Sequence, residues 1–555
     1  MKRYTESQED RRVYLADGMD VKRNADIPMS AMWTPGSLAV GNDEEIRSEG
    51  DIREAASVAH IYGQNLVAAE SMTSVQNAFS FHPEKLKRTA DLEMASGLNR
   101  FVIHTSVHQP LDDKMPGFSL GPFGQYFTRQ ETWTETGGQA WMAYLGRSCH
   151  LLQQGKHVAD VLYLYGENTN ITWQFKEKLP NIAGYEYDFC NSSALINVMQ
   201  VKNGKIVTPS GMSYSLLILD ESAKLMTLPV LKKLRDIVKA GAKVAGIKPE
   251  KSPSMSDSDA EFQAIVAEIW GKTPNPKLET QNFAEILRGV NIQEDVKISN
   301  AKEKILYVHR QTATEDIYWL NNRSENANDA EISFRVSGKT PELWNPQTGT
   351  TEKVSYQIKD GRTIVPLHFD SWDAYFIIFK DNTTANSFTK PVLTEKQVLT
   401  ISTPWKVNFQ EGRGAPTSAT FDKLTSWTEN TEGGIKYFSG TATYQNTFKM
   451  GKIDKKARYE IDLGEVKNMA EVFVNGKNVG IVWKKPFKLN ITEGIKKGIN
   501  TLEIKVTNTW VNRLIGDAQP EVKQKITFTT MPFYKGQEPL LPSGLMGSVN
   551  IVLKK

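Results

Sequence analysis

The periodicity of the chain changes once, near residue 300, and that change restricts the fold more than any other feature. Before it, short unbroken apolar runs alternate with amphipathic stretches: DIREAASVAHIYG reads as a helix, QNLVAAE as a strand, EKLKRTADLEMASGLN as a helix and RFVIHTS as a strand. Such alternation builds parallel sheets whose strands are covered on both faces. After it, EKILYVHRQ, DIYWLNN, AEISFRVSG and AYFIIFK alternate apolar and polar residues between Asn, Gly and Asp turns, as half-buried antiparallel strands do. The expected class is therefore multidomain, α/β first and β after.

Four units are expected. Residues 1–157 read as the C-terminal part of a (β/α)8 catalytic barrel, because they hold only a few of the eight strand-helix units that a whole barrel needs. An open piece of barrel leaves unpaired strand edges, so residue 1 is expected to lie inside a longer ancestral protein. Residues 158–300 read as a small doubly wound α/β domain, flavodoxin-like or amidotransferase-like, with strands ADVLYLYG, YSLLILD and AKVAGIK and a helix, TLPVLKKLRDIVKAG, stopped by Gly241. No GxGxxG follows its first strand, so a nucleotide cofactor is not indicated. Residues 301–390 form a β domain, and residues 398–555, with turns such as Asn475-Gly476, a β-sandwich.

Composition narrows the class of partner. With 39% hydrophobic and 24% charged residues the chain is that of a folded protein, neither disordered nor fibrous. Its 67 basic and 64 acidic residues give a formal charge of +3 without any long Lys/Arg block, which argues against nucleic acid. No run has the apolar length of a membrane span, and MKRYTESQEDRR lacks the apolar core of a secretory signal. Cys149 and Cys190 read as two buried free thiols.

The chemistry-bearing residues cluster where a barrel would place them, at the C-terminal ends of strands. Glu70 closes QNLVAAE, His104 closes RFVIHTS, and His108 follows four residues on. The next loop, GFSLGPFGQYFTRQETWTETGG, holds Phe123, Tyr126, Phe127, Arg129, Glu131 and Trp133. Aromatic faces beside carboxylates and imidazoles suit a neutral polyol such as a sugar. On residues alone, Glu70 is either a catalytic carboxylate or a strand-end cap, and the loop aromatics either bind sugar or pack the loop. His104 and His108 flank a strand end with no third ligand, so a zinc site is not expected. In the last region Trp427, Tyr437, Trp483 and Trp510 are either glycan platforms or core.

Longer words carry a family resemblance. ADIPMSAMWTPG, REAASVAHIYGQNLVAAESMTS, ASGLNRFVIHTSVHQP, GPFGQYFTRQETW and LLQQGKHVADVLYLYGE together resemble glycoside hydrolase family 106, the α-L-rhamnosidases and their relatives. GYEYDFCNSSALIN and GKIVTPSGMSYSLLILD continue the likeness, while FSGTATYQNTF and VFVNGKNVGIVWKKPFKLNIT resemble a galactose-binding-like sandwich. The resemblance implies an inverting hydrolase of rhamnose-containing oligosaccharides or polysaccharides, periplasmic or extracellular. Glu70, in its AES context, would be the general base; His104, His108 and Glu131 would bind sugar hydroxyls, and Trp133 would supply a face. Inversion needs a second carboxyl roughly 6.5–9.5 Å from the first. In the family that acid lies on an earlier strand, so this chain by itself is expected to lack it. Family members that use calcium set it against sugar hydroxyls, but Ala31 stands where some relatives carry a calcium-linked glutamate, so no metal residues carry over. Two other readings remain: a non-catalytic carbohydrate-binding or scaffold protein derived from such an enzyme, and, on architecture alone, a β-galactosidase-like glycosidase.

Overall fold

The computed structural model describes residues 17–34, 43–75, 77–122, 127–175, 178–271, 283–289 and 291–555. The basic N-terminal dodecamer, Phe123 and Tyr126 lie outside the described residues.

The chain begins with α1 (Gly18–Lys22), β1 (Met29–Trp33), α2 (Asp43–Tyr62), β2 (Ala68–Thr73), α3 (Pro83–Ala95) and β3 (Arg100–Ile103). The three strands form one parallel sheet in the order β1-β2-β3. Helix α3 opens on Pro83, whose missing N–H costs nothing in the first turn. The apolar run Leu66–Ala69 reads as a strand ending at Glu70, but β2 starts at Ala68 and runs on through Glu70 to Thr73. Asn99 is the physical reason. Its side-chain oxygen takes the Val67 N–H at 2.9 Å, so Val67 meets β3 only through its carbonyl, which accepts from Arg100 N–H at 3.0 Å.

After a loop containing β4 (Pro116–Gly117), α4 (Gln139–Leu152) leads to β5 (Lys156–His157), β6 (Val161–Leu164) and β7 (Tyr187–Cys190). Strands β6 and β7 belong to a second parallel sheet, ordered Val244–Gly246, Leu216–Leu219, β6, β7, in which every strand residue is buried. Continuous apolar strands of this kind need cover on both faces. The amphipathic helix Leu228–Lys239 supplies part of it through Val230, Leu231, Leu234 and Ile237, and Gly241 stops it at φ +97°.

Two antiparallel sheets follow. Six strands centre on Ile305–Gln311, Asp316–Asn322 and Ala374–Asn382, and five on Asn328–Phe334 and Arg362–Phe369. Two strands from outside the 301–390 span take part: β5 pairs with Ile305–Gln311, and Val296–Ser299 pairs with Asn328–Phe334. The last region also holds two antiparallel sheets, one of six strands around Thr441–Met450 and Gly498–Thr507 and one of four around Arg458–Asp462 and Val549–Lys554. Val407, Tyr444, Ile461, Val472, Ile504 and Ile551 form its core. Its hairpin turns at Asn475 (φ +52°) and Gly476 (φ +79°), the two positive angles that a type I′ turn requires. The molecule is thus a mixed α/β and β protein.

Candidate active site

Register and pleat place Glu70. In the parallel ladder Ala31 lies beside Glu70 and Glu70 beside Val102, so the three form one row across the sheet. Successive strand residues face opposite ways. Ser71 faces α3, where its hydroxyl lies beside the Glu93 carboxyl, so Glu70 points to the other face. There the row is half-buried, whereas Ala69 and Ser71 behind it are fully covered. Ala31 has only a methyl group beside the glutamate. Glu70 itself accepts a hydrogen bond from Thr73 Oγ1 at 2.6 Å, which orients one carboxylate oxygen.

His104 continues the neighbouring strand: its N–H donates to Ser71 O at 3.0 Å. Its ring is half-buried, and Nδ1 has no hydrogen-bond partner among the described residues although it is shielded from solvent. An orphaned imidazole nitrogen at a strand end is what a ligand hydroxyl would satisfy. His108 is exposed on the segment that follows.

The loop carrying Glu131 and Trp133 is tied to this edge and to distant parts of the chain. Phe127 N–H donates to Thr105 O at 3.0 Å, and Arg129 Nη2 donates to Gln109 O at 2.8 Å and pairs with Asp112. Trp133 is 2% exposed, donates Nε1–H to Phe81 O at 3.0 Å and meets Phe127 edge to face at 5.5 Å. Its indole therefore packs the loop, and the expectation that it offers a sugar an open face is corrected accordingly. Glu131 is 3% exposed and neither carboxylate oxygen has a partner among the described residues. Burial pushes its carboxyl well above the usual range, and the neighbouring Thr132 amide offsets this only in part. The group is held neutral.

Sequence reading missed the far side of this loop. Trp510 Nε1–H donates to Gln130 O at 2.8 Å, Tyr534 Oη–H donates to Ala78 O at 2.7 Å, and Thr132 donates to Asn508 O. Strand β4 pairs with Phe528–Thr529 of the last region. These contacts span about four hundred residues, and no local pattern announces them. Trp427, Trp483 and Trp510 are each 1% exposed or less, so they are core, and Tyr437 is half-buried against Arg513.

Calcium is a hard ion that takes six to eight oxygen ligands. The methyl group of Ala31 offers none beside Glu70. Among the described residues, the group of His, Cys, Asp and Glu side chains close enough to share an ion is His60, His157 and Asp188, a nitrogen-rich set unsuited to calcium. No calcium ligands are assigned among the described residues. No helix among them is long and apolar enough to cross a membrane.

Comparison with known proteins follows the same lines. The glycoside hydrolase family 106 model, described as alpha-L-rhamnosidase, matches residues 1–358. The solved rhamnosidase from Novosphingobium sp. PP1Y superposes with a TM-score of 0.92 at 42% identity, over 98% of this chain and 53% of that one. A protein of Formosa agariphila named "Putative beta-glucuronidase" is 28% identical over 96% of this chain and 66% of its own length. The chain thus spans about half to two thirds of the relatives it matches. A family 42 beta-galactosidase from G. stearothermophilus, at TM-score 0.42 and 10% identity over 66% of this chain and 61% of that one, is too distant to carry an argument. With almost two thirds of its length matched by one family model, the chain belongs to glycoside hydrolase family 106, the alpha-L-rhamnosidases.

Proposed function

We propose that this chain contributes the base-bearing part of an α-L-rhamnosidase-like site that hydrolyses rhamnose-containing glycans with inversion. The carrying observation is Glu70, oriented by Thr73 on the open row of a parallel sheet, with a small residue beside it and an unpartnered His104 nitrogen on the adjacent strand. A carboxylate so held takes a proton from water as the water oxygen attacks the anomeric carbon. The bond to the leaving oxygen breaks through an oxocarbenium-like transition state, and that oxygen takes a proton from a second carboxyl. His104 and His108 bind sugar hydroxyls, while Glu131 and Trp133 shape the loop from beneath.

The same reading takes residues 1–157 as barrel, 158–300 as the small doubly wound domain, 301–390 as a β domain and 398–555 as a galactose-binding-like sandwich. It also places the protein outside the cytoplasm, where glycan polymers are met.

The test is turnover by this chain of a dinitrophenyl α-L-rhamnoside, whose leaving group departs without the acid that the chain is expected to lack, beside the matching β-D-glucuronide and a glycan-binding screen. Release of β-rhamnose as the first product, seen by NMR, supports the proposal. Glu70→Gln should then lower kcat by about 10³-fold or more, in the range lost with a general base, while sugar binding persists. Near-normal turnover by that variant overturns the assignment of Glu70. Glycan binding without turnover by the unaltered chain favours the carbohydrate-binding reading instead.

A further inference from the structure

On the helix side of the first sheet, away from Glu70, three ligating side chains from three different elements converge. His60 lies in the last turn of α2, His157 ends β5, and Asp188 sits in β7. One nitrogen from each imidazole and one Asp188 oxygen all lie within 4.8 Å of one another. The two rings stack at 4.4 Å with 13° between their planes, and His60 Nδ1 is 2.8 Å from Asp188 Oδ1. We propose that His60, His157 and Asp188 form a binding site for a zinc-like divalent transition-metal ion.

Two imidazoles and a carboxylate make a donor set for zinc and its neighbours, which leaves further positions for water. Metal bonds of about 2.0–2.2 Å put neighbouring ligand atoms roughly 3.3 Å apart in a tetrahedral site. The His60–Asp188 pair is already at that scale, and rotation of the His157 ring closes the remaining gap. The outer contacts are those of a supported site. Tyr214 Oη–H donates to Asp188 Oδ2 at 2.8 Å, so an ion would take the place of the proton between Oδ1 and His60 Nδ1, and Ser210 Oγ–H donates to His60 O at 2.7 Å, which fixes the helix end.

His157 carries the argument furthest. Neither of its ring nitrogens has a hydrogen-bond partner among the described residues, so both are free to meet solvent or an ion at this half-buried position. It also lines a cavity of about 680 Å³ with Lys156, Asp160, Lys205, Gln311 and Arg335, so the His157 edge of the cluster faces open space. Arg53 and Arg310 are near enough to disfavour a cation, but Arg53 is paired with Glu186. The balance points to moderate affinity. An ion here would join α2, the parallel sheet of β7, and the antiparallel sheet that β5 enters through Ile305–Gln311.

The experiment is zinc titration of chelator-stripped protein against a chromophoric competitor, with Co²⁺ absorption as a second readout of the coordination. The unaltered chain should bind one equivalent with a micromolar or tighter Kd, gain in Tm with zinc, and give an intensified visible Co²⁺ band. His157→Ala removes a ring without hydrogen bonds, so it should fold normally and bind about 100-fold more weakly. Absence of stoichiometric binding below 100 µM overturns the site, as does equal zinc affinity in His157→Ala. Should that variant fail to fold, the Co²⁺ band of the unaltered chain decides: a spectrum identical to the hydrated ion refutes the proposal.

Discussion

Neutral burial is a demanding state for a carboxyl, and Glu131 illustrates its consequence at the scale of one residue. Leaving a buried polar group without a hydrogen bond costs about 1–3 kcal/mol even when it is uncharged, and ionising it there costs more. The folded chain therefore keeps Glu131 protonated, while the unfolded chain ionises it above about pH 4.3. A folded-state value raised in this way gives stability that is present below the unfolded value and lost as pH rises through the folded one. Glu131→Gln keeps the side chain neutral at every pH. Its Tm should match that of the unaltered protein near pH 4 and exceed it at pH 8, which scanning calorimetry at the two pH values measures. A variant less stable at pH 8 would mean that the carboxylate has a partner and that the neutral assignment fails.

Between elements, a buried polar junction joins α3, α4 and the six-stranded sheet. Lys87 and Asp91, one turn apart on α3, form a buried ion pair; Tyr144 of α4 donates to Asp91 Oδ1, and Asn321 Nδ2 donates to Asp91 Oδ2 at 2.9 Å. Lys87 also donates to Trp372 O at 2.7 Å. Removing one partner of a buried pair strands the other charge, so Asp91→Ala should cost about 3–5 kcal/mol. The exposed pair Arg88–Glu325, on the next residue of the same helix, should cost about 0–1 kcal/mol when Glu325 is replaced by alanine. Urea unfolding of the two variants tests the contrast, and equal losses would contradict it. None of this junction was readable beforehand, because Asn321 lies 230 residues from Asp91. What was readable had a local cause: the Leu228–Lys239 helix announces itself by amphipathic spacing and a glycine stop, and the Asn475-Gly476 hairpin by its turn residues. The position of β2 slipped because Asn99, a residue beyond the next helix, captures the Val67 N–H. Glu70 was recognisable from its words, but its company, Ala31 and Val102 in register and Trp510 behind the loop, needed the fold.

Across the whole molecule, buried ionisable groups set how stability responds to pH. Burial pushes Glu54 up to about 7 despite Lys22, and Glu186 up to about 7 despite Arg53. Glu93 and Glu131 are raised well above the usual range by the same cause. All four bind protons in the folded state that the unfolded chain has released above about pH 4.3, so each contributes stability that is lost as pH rises toward and past 7. Burial opposes the charging of His309, but Asp295 and Asp316 overcome it and raise its value, so its share is lost on further rise. Two histidines act the other way: burial brings His82 down to about 3 and His157 well below its ordinary value, so both lose stability as pH falls below about 6.5. Between pH 5 and 8 five of these groups act in the first direction and two in the other, so Tm should be higher at pH 5 than at pH 8. Further acidification reverses the trend. Asp295 and Asp373, held low against burial by His309 and Lys484 respectively, must take up protons, and the stability they contribute above about pH 3.9 is then lost. Metal-free protein scanned from pH 3.5 to 9 should therefore show a Tm maximum on the acid side of neutrality, and Glu186→Gln should flatten the descent from pH 5 to pH 8. A Tm that climbs steadily to pH 8 would show that these carboxyls reach solvent or cations in the folded chain.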